Sequence, residues 1–260
     1  MKVLAAGVSD VGCKRTHNED NFFVGLDHNL FVVADGMGGH ACGEVASELA
    51  VLSVGEFFRM TADDEERTWP FKEERGLRYQ ENRLVTSIKL ANRRIYDMAQ
   101  LDIRKRGMGT TIVTALIDDG GASFGHCGDS RAYRVRGGAI EQLTEDHSLL
   151  NEHIKSHHLT KEEIATFPHK NVIVRALGMK DTVKVDVGRF EALPGDVFVL
   201  CSDGLSGMVS DEDLGRIVNA HFQGNGEVDN LSVLCGNLID AANSAGGIDN
   251  VTCICILVQE

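Results

Sequence analysis

The chain has 260 residues, of which 43% are hydrophobic and 25% charged, a balance that is ordinary for a folded globular protein. Its formal net charge of −13 argues against binding to nucleic acid or to an anionic membrane, because both are negatively charged themselves. Only three prolines occur and there is no low-complexity stretch, so the sequence predicts one domain over residues 1–260.

The cysteines and the lengths of the apolar runs indicate the cellular compartment in which the protein is expected. The seven cysteines include no CxxC pair, which is typical of reduced thiols. No run of 18 apolar residues occurs, and the N-terminal segment is too weakly apolar for a signal peptide. We therefore expect a cytoplasmic protein that does not span a membrane.

The first hundred residues predict three strands and then two helices. Strands are expected over 3–11 and 22–26, and the apolar run from Leu30 predicts a strand that ends at Asp35. The short connection over 27–29 makes the last two strands an antiparallel hairpin. Helices are predicted over 43–60 and 81–101, with a loop between them, because apolar residues recur at helical spacing. The core-facing stripes are Val45, Leu49 and Leu52 in the first helix and Leu84, Ile88, Ala91, Ile95 and Met98 in the second.

The rest of the chain is predicted to contain two strand-rich parts and two further helices. Strands are expected over 110–117, 122–127, 131–136, 139–143, 183–190 and 196–202, and helices over 211–221 and 228–244. The final strand, 251–258, is apolar on both faces and should lie inside a sheet that is covered on both sides. Hairpin-joined strands with grouped helices favour an α+β fold, a layered α-β-β-α sandwich of two antiparallel sheets flanked by helices.

Acidic residues recur where predicted strands end, beside glycine or asparagine. Four aspartates follow this pattern and a Glu-Asp pair adds a fifth cluster: Asp35, Asp129, Asp203 and Asp249, with Glu19 and Asp20. Each alone is an ordinary turn former. Gathered together, they would repel one another unless cations neutralised them. All-oxygen ligation suits Mg²⁺ or Mn²⁺, and the His/Cys spacing of a zinc site is missing.

Seven motifs in order give the sequence a family resemblance. They are Arg15-x-x-Asn18-Glu19-Asp20, Asp35-Gly36-Met37-Gly38-Gly39-His40, Gly107-Met108-Gly109-Thr110-Thr111, Gly128-Asp129-Ser130-Arg131, Leu143-Thr144-x-Asp146-His147-Ser148, Ser202-Asp203-Gly204-Leu205 and Gly247-x-Asp249-Asn250. Over residues 8–256 the chain resembles the protein phosphatase 2C family of metal-dependent Ser/Thr phosphatases, in its compact bacterial form. The resemblance implies two Mn²⁺ or Mg²⁺ ions in a cleft at one end of the sandwich.

The resemblance also implies a ligand for each ion. Asp35 would bridge both ions, and Asp203 and Asp249 would hold the first. The Gly36 carbonyl and Glu19 would serve the second ion.

Three further residues would act on water and on phosphate. Asp20 would act through metal-bound water, Arg15 would bind the phosphate, and His40 would protonate the leaving alkoxide. A metal-bridging hydroxide would attack phosphorus, which agrees with general two-metal chemistry. The sequence is also compatible with Arg15 as an ordinary surface arginine.

One position departs from the family pattern. Members commonly carry a third, weaker metal site that includes the counterparts of Asp129 and Asp203 and a carboxylate four positions after the latter. Here Gly207 stands at that position. The resemblance therefore implies that a third ion is bound weakly or is missing, because ligand charge sets affinity in such sites.

The resulting prediction is a monomeric protein phosphatase that acts on phosphorylated proteins and opposes a Ser/Thr kinase. Residues 145–175 match a flap segment beside the cleft. The histidines at 126, 147, 153, 157 and 158 are interpreted as structural or solvated rather than as ligands. The alternatives are a catalytically silent binding module and a metal-dependent phosphodiesterase or nuclease, against which the net charge of −13 argues.

Overall fold

The computed structural model describes residues 1–38, 42–62, 68–157, 163–164, 167, 172–223 and 230–259. Its strands are β1 (Lys2–Asp10), β2 (Asp20–Gly25), β3 (Leu30–Met37), β4 (Gly109–Thr110), β5 (Ile112–Asp118), β6 (Gly121–Cys127), β7 (Arg131–Arg136), β8 (Ala139–Gln142), β9 (Asp186–Phe190), β10 (Val197–Cys201) and β11 (Val251–Gln259). Its α-helices are α1 (Gly43–Met60), α2 (Tyr79–Leu101), α3 (Leu149–His157), α4 (Asp203–Ser206), α5 (Asp211–Gln223) and α6 (Leu231–Ser244).

Two antiparallel sheets pack face to face. One has the order β1-β11-β10-β7-β8, and the other has the order β2-β3-β5-β6-β9 with β4 added to β3. Between the sheets lies a core that includes Phe31, Phe124 and Phe198. Residues of α1 and α2 cover the outer face of the second sheet, and residues of α5 and α6 cover that of the first. The predicted α-β-β-α sandwich is confirmed.

Several local predictions are confirmed by the strand pairing. β2 and β3 form the expected antiparallel hairpin, and β11 lies inside its sheet between β1 and β10. β11 is buried from Val251 to Val258, as its two apolar faces predict.

All seven cysteines are free thiols. Among the described helices, none has the combination of length and apolar character that crossing a membrane requires.

The predicted stripe of α1 is wrong at one position. Leu52 is 53% exposed, and Val45 and Leu49 are only partly buried. The buried face instead contains Ala46 and Ala50, together with Val54, Phe57 and Phe58. Because α1 packs against a sheet and against α2 at once, its buried face is wide. The small side chains of the alanines allow α1 to lie close to these neighbours, and the spacing of the large apolar residues alone did not reveal this.

Four local features near the acidic residues differ from the prediction. β3 continues past Asp35 to Met37, because Gly36 and Met37 pair with Thr110 and Gly109 of β4. Asp249 lies before a strand rather than after one, since β11 begins at Val251. The short helix α4, which begins at Asp203, and the late start of β9 at Asp186 were not predicted.

Candidate metal centre

The candidate ligands meet at one end of the sandwich. Asp20 and Asp35 stand opposite each other in the β2–β3 register. Asp203 follows β10 and Asp249 precedes β11, and these two strands are paired. Asp129, Asp203 and Asp249 line one cleft of about 410 Å³. The strand ends of both sheets therefore bring together carboxylates that lie far apart in the sequence.

Gly36 and Glu19 are held in close contact beside the start of α1. The Gly36 N–H donates to the Glu19 carbonyl at 3.1 Å. A Cβ at Gly36 would lie 2.2 Å from the Gly43 carbonyl oxygen and 2.5 Å from that of Glu19, so no other residue fits there. A Cβ at Gly43 would lie 2.7 Å from Glu19 Oε1. The Glu19 carboxylate thus lies against the first residue of α1, where a helix favours negative charge.

A serine joins the ligands of the two sheets. Ser202 Oγ donates to Asp20 Oδ2 at 2.7 Å and accepts the Thr252 N–H at 3.0 Å. Since Ser202 immediately precedes Asp203, this contact fixes the end of β10 against the start of β2. Ser202 belongs to one of the seven motifs, but no role was predicted for it.

Asn250 organises the loop that carries Arg15 and Glu19. Its Oδ1 accepts the Glu19 N–H at 2.9 Å, and its Nδ2 donates to the carbonyls of Val11 and His17 at 3.0 and 2.9 Å. Arg15 Nη2 donates to Asp249 Oδ2 at 2.8 Å. Arg15 thus lies beside the acidic residues, with its side chain 49% exposed.

Asp129 is buried without a partner for one of its oxygens. Its residue is 8% exposed, and Oδ1 has no hydrogen-bond partner. By contrast, Asp146 in the same cleft accepts three hydrogen bonds from Arg131, at 2.9, 3.1 and 2.7 Å. Buried polar oxygens are nearly always satisfied in native proteins. The orphaned Oδ1 therefore points to a ligand, and an acidic oxygen favours a cation.

The carboxylates are held in an environment that opposes their charge. Burial raises the pKa of Asp129 to about 7 and that of Asp20 to about 6. Burial also raises the pKa of Asp35 well above its usual range, and repulsion from Asp20, Asp203, Asp129 and Asp249 adds to the effect. Burial and repulsion from Asp249 raise the pKa of Asp203 as well. Such a cluster is costly in isolation and is relieved by bound cations.

The donor set fits hard divalent ions. The gathered donors are carboxylate and carbonyl oxygens, as Mg²⁺ and Mn²⁺ prefer. Within the described ranges, no group of three or more His, Cys, Asp or Glu side chains is arranged so that it could hold a metal ion by itself. An open arrangement suits Mg²⁺, which usually keeps several waters and takes only one or two carboxylates. The residues present therefore fit Mg²⁺ or Mn²⁺ and do not fit a structural zinc site.

Four sets of predicted residues remain. His40 lies outside the described residues. His126 and His147 are buried and stacked on each other at 4.6 Å, consistent with a structural role, and neither lines the cleft. Gly207 lines the same cleft as Asp129 and Asp203, and the expected weakness of a third ion there stays a prediction. Within the predicted flap, α3 covers 149–157, whereas 158–162, 165–166 and 168–171 lie outside the described residues.

Comparison with known proteins shows the family to which the chain is related. The sequence model described as protein phosphatase 2C matches residues 13–232. Protein phosphatase PhpP of Streptococcus pneumoniae is 36% identical over 259 residues, which cover 97% of this chain and 96% of that protein. The crystal structure of the Mycobacterium tuberculosis serine/threonine phosphatase PstP/Ppp has a TM-score of 0.84 at 32% identity, with 100% of both chains covered. A structure of the PstP catalytic domain in complex with 2 manganese ions has a TM-score of 0.78 at 31% identity, with 99% of both chains covered.

The fold and the extent of these matches define the class, a protein phosphatase with an α-β-β-α sandwich. The chain belongs to the protein phosphatase 2C family. The family resemblance inferred from the seven motifs is thereby confirmed.

Proposed function

We propose that this chain is a single catalytic domain over residues 1–260 that hydrolyses phosphoserine and phosphothreonine in proteins with the help of two Mn²⁺ or Mg²⁺ ions. The observation that carries the proposal is the convergence of buried and partly buried carboxylates from both sheets beside Arg15, whose guanidinium is a type of side chain that binds phosphate. Its setting in the cell is proposed to be the cytoplasm, as a monomer that opposes a Ser/Thr kinase.

The ligands follow the assignment that the family resemblance implies, and the positions of the carboxylates support it. Asp35 would contact both ions, Asp203 and Asp249 the first, and Glu19 with the Gly36 carbonyl the second. Asp20 is held by Ser202 and would act through water. When bound, such ions supply a nucleophilic water at neutral pH and neutralise charge on the phosphate.

Two side chains of the protein are proposed to orient the substrate and to donate a proton to the leaving oxygen. Arg15 Nη2 donates a hydrogen bond to Asp249. Because a guanidinium has five N–H donors, the remaining donors of Arg15 can bind two phosphate oxygens side by side. Asn250 supports this arrangement, because it fixes the loop from which Arg15 projects. His40 is proposed to donate a proton to the serine or threonine oxygen as the ester bond breaks. Histidine suits this step since its ordinary pKa is near neutrality.

The two alternatives are less well supported. A silent binding module would have little reason to retain buried carboxylates whose charge is costly without a cation. A nuclease needs contacts to a polyanionic backbone, and the net charge of −13 disfavours them.

The test is hydrolysis of p-nitrophenyl phosphate and of a phosphothreonine peptide, with Mn²⁺ and with excess chelator. We expect both substrates to be hydrolysed only with metal. Asp27→Ala is a matched control for substitution of Asp20 or Asp35. Asp27 is exposed and lies at the turn between β2 and β3, at the opposite end of the hairpin from Asp20 and Asp35. Full activity of metal-stripped protein in chelator would refute the metal mechanism, and absence of hydrolysis with either metal would favour the silent module.

A further inference from the structure

His147 binds both polar backbone groups of Gly128, the residue before Asp129. The backbone N–H of Gly128 donates to the ring nitrogen Nδ1 of His147 at 3.0 Å, and the backbone N–H of His147 donates to the Gly128 carbonyl at 2.9 Å. Gly128 has a φ of +119°, and a Cβ there would lie 2.5 Å from Thr111 Cβ. The turn that presents Asp129 is therefore unusual in conformation and is held from one side by a single histidine.

The other ring nitrogen of His147 faces a carboxylate. Nε2 lies 3.0 Å from Asp186 Oδ2, at the start of β9. Two cations, Arg175 and Lys184, lie 2.9 and 3.4 Å from Asp186 Oδ1 and favour the ionised form of that carboxylate. Burial lowers the pKa of His147 to about 4, and neighbouring His126 adds to this, so the ring is neutral at neutral pH.

These contacts determine which nitrogen carries the single proton of the neutral ring. Nδ1 must be the acceptor, because the Gly128 N–H points at it, so the proton is on Nε2 and is donated to Asp186. Arg175 Nη1 also lies 2.9 Å from Nε2. Since a protonated Nε2 cannot accept from it, the attraction of Arg175 is to the Asp186 carboxylate.

We propose that Asp186 keeps the His147 proton on Nε2, so that Nδ1 holds the Gly128 N–H and the adjacent Asp129 is positioned as a cation ligand. His147 and Asp186 are thus positioning residues that act through the Gly128 backbone. The inference rests on the proposed metal-dependent function and on the buried, unpartnered Oδ1 of Asp129 as a cation ligand. It concerns neither the bridging ligand Asp35 nor the phosphate contact of Arg15.

Two substitutions separate the two sides of the ring. In His147→Asn, the amide oxygen lies near the place of Nδ1 and can still accept the Gly128 N–H. In His147→Gln, the longer side chain reaches toward the place of Nε2 and Asp186, and the Gly128 N–H loses its acceptor. A role in packing alone predicts the opposite order, because glutamine fills the volume of histidine better than asparagine does.

The first measurement uses metal-free protein. Long-range ¹H–¹⁵N correlation of labelled histidines at neutral pH should show His147 with its proton on Nε2, with the signal assigned by its loss in His147→Gln. The Gly128 amide should exchange slowly in the wild type and in His147→Asn, and at least about 10-fold faster in His147→Gln. A proton on Nδ1, or equal Gly128 exchange in both variants, would overturn the proposal.

The second measurement is a Mg²⁺ titration followed at the Asp129 amide signal, with thermal unfolding in chelator to show that both variants fold. We expect His147→Asn to bind within about 3-fold of the wild type and His147→Gln to bind roughly 10–100-fold more weakly, the usual range for residues that support a ligand. Equal affinities, or an Asp129 signal that does not respond to Mg²⁺ in the wild type, would overturn the proposal. Hydrolysis of p-nitrophenyl phosphate by the wild type distinguishes this failure from a failure of the proposed function.

Discussion

The unpartnered charge of Asp129 should make the metal-free protein less stable than a neutral variant. Burial moves the pKa of Asp129 from its ordinary 3.8 to about 7, and repulsion from Asp203 contributes. At about 1.4 kcal/mol per pKa unit, the ionised carboxylate costs about 4 kcal/mol relative to its protonated form. Because the folded-state pKa is raised, the associated stability is fully present below about pH 4 and is lost as the pH rises through about 7.

Asp129→Asn replaces this carboxylate with a neutral group of the same shape. In chelator at pH 8, we expect the free energy of unfolding to increase by about 2–4 kcal/mol, the upper value being the full cost of the charge. For a chain of this size, that is a rise in melting temperature of roughly 4–16 °C. The gain should shrink to a small value near pH 4 and vanish below it, where the wild-type carboxyl becomes protonated in the unfolded state as well.

Urea unfolding of both proteins between pH 4 and pH 8 measures this difference. Asp146→Asn is the matched control in the same cleft, because its carboxylate has a cationic partner in Arg131 and its loss should destabilise the protein. Adding saturating Mn²⁺ should reduce or reverse the advantage of Asp129→Asn, since only the wild type retains the ligand. An Asp129→Asn variant that is less stable than the wild type in chelator at pH 8 would refute the reasoning.

Three further predictions concern the proposed site. Asp203→Ala should abolish hydrolysis with an unchanged circular dichroism spectrum, because a ligand is lost; wild-type activity would remove this residue from the site. His40→Ala should slow phosphothreonine-peptide hydrolysis by roughly 10²–10⁴-fold but p-nitrophenyl phosphate hydrolysis far less, because nitrophenolate leaves without a proton. Equal losses would contradict a proton-donor role. Gly207→Asp should strengthen a third Mn²⁺ event in calorimetry, with Gly207→Ala as control because a Cβ there would lie 2.8 Å from the Asp203 carbonyl oxygen. A third event already tight in the wild type and unaffected by Asp129→Ala would show that the third site is elsewhere.

Local patterns in the sequence predicted most of the sandwich. The β2–β3 hairpin follows from two apolar runs and a short polar connection, and the interior place of β11 follows from its two apolar faces. These signals depend on neighbours within a few residues, which a single sequence displays directly. The exposed side chain of Leu52 shows the limit, because which face of α1 is buried depends on α2 and on β3 together.

The residue types of the site could be predicted, but not the contacts that hold them. A carboxylate beside glycine at a strand end is visible in the sequence, and several of them suggested a metal centre. The extension of β3 beyond Asp35 was missed because it depends on pairing with β4, more than 70 residues later. The role of His147 was also missed, since a histidine that accepts a backbone N–H has no pattern of its own in the sequence.

Contacts between residues far apart in the sequence explain why the site must form together with the whole fold. Ser202 is 182 residues from Asp20, and Asn250 is 231 residues from Glu19. Each of these contacts joins one sheet to the other, so neither can form until both sheets have paired and packed. The carboxylates are therefore brought close only by folding, and the hydrophobic contacts between the sheets must offset their repulsion when no cation is present. It follows that changes in the sandwich core between Phe31 and Phe198 should weaken ion binding even though neither side chain lies in the cleft, because ion binding and closure of the sandwich are coupled.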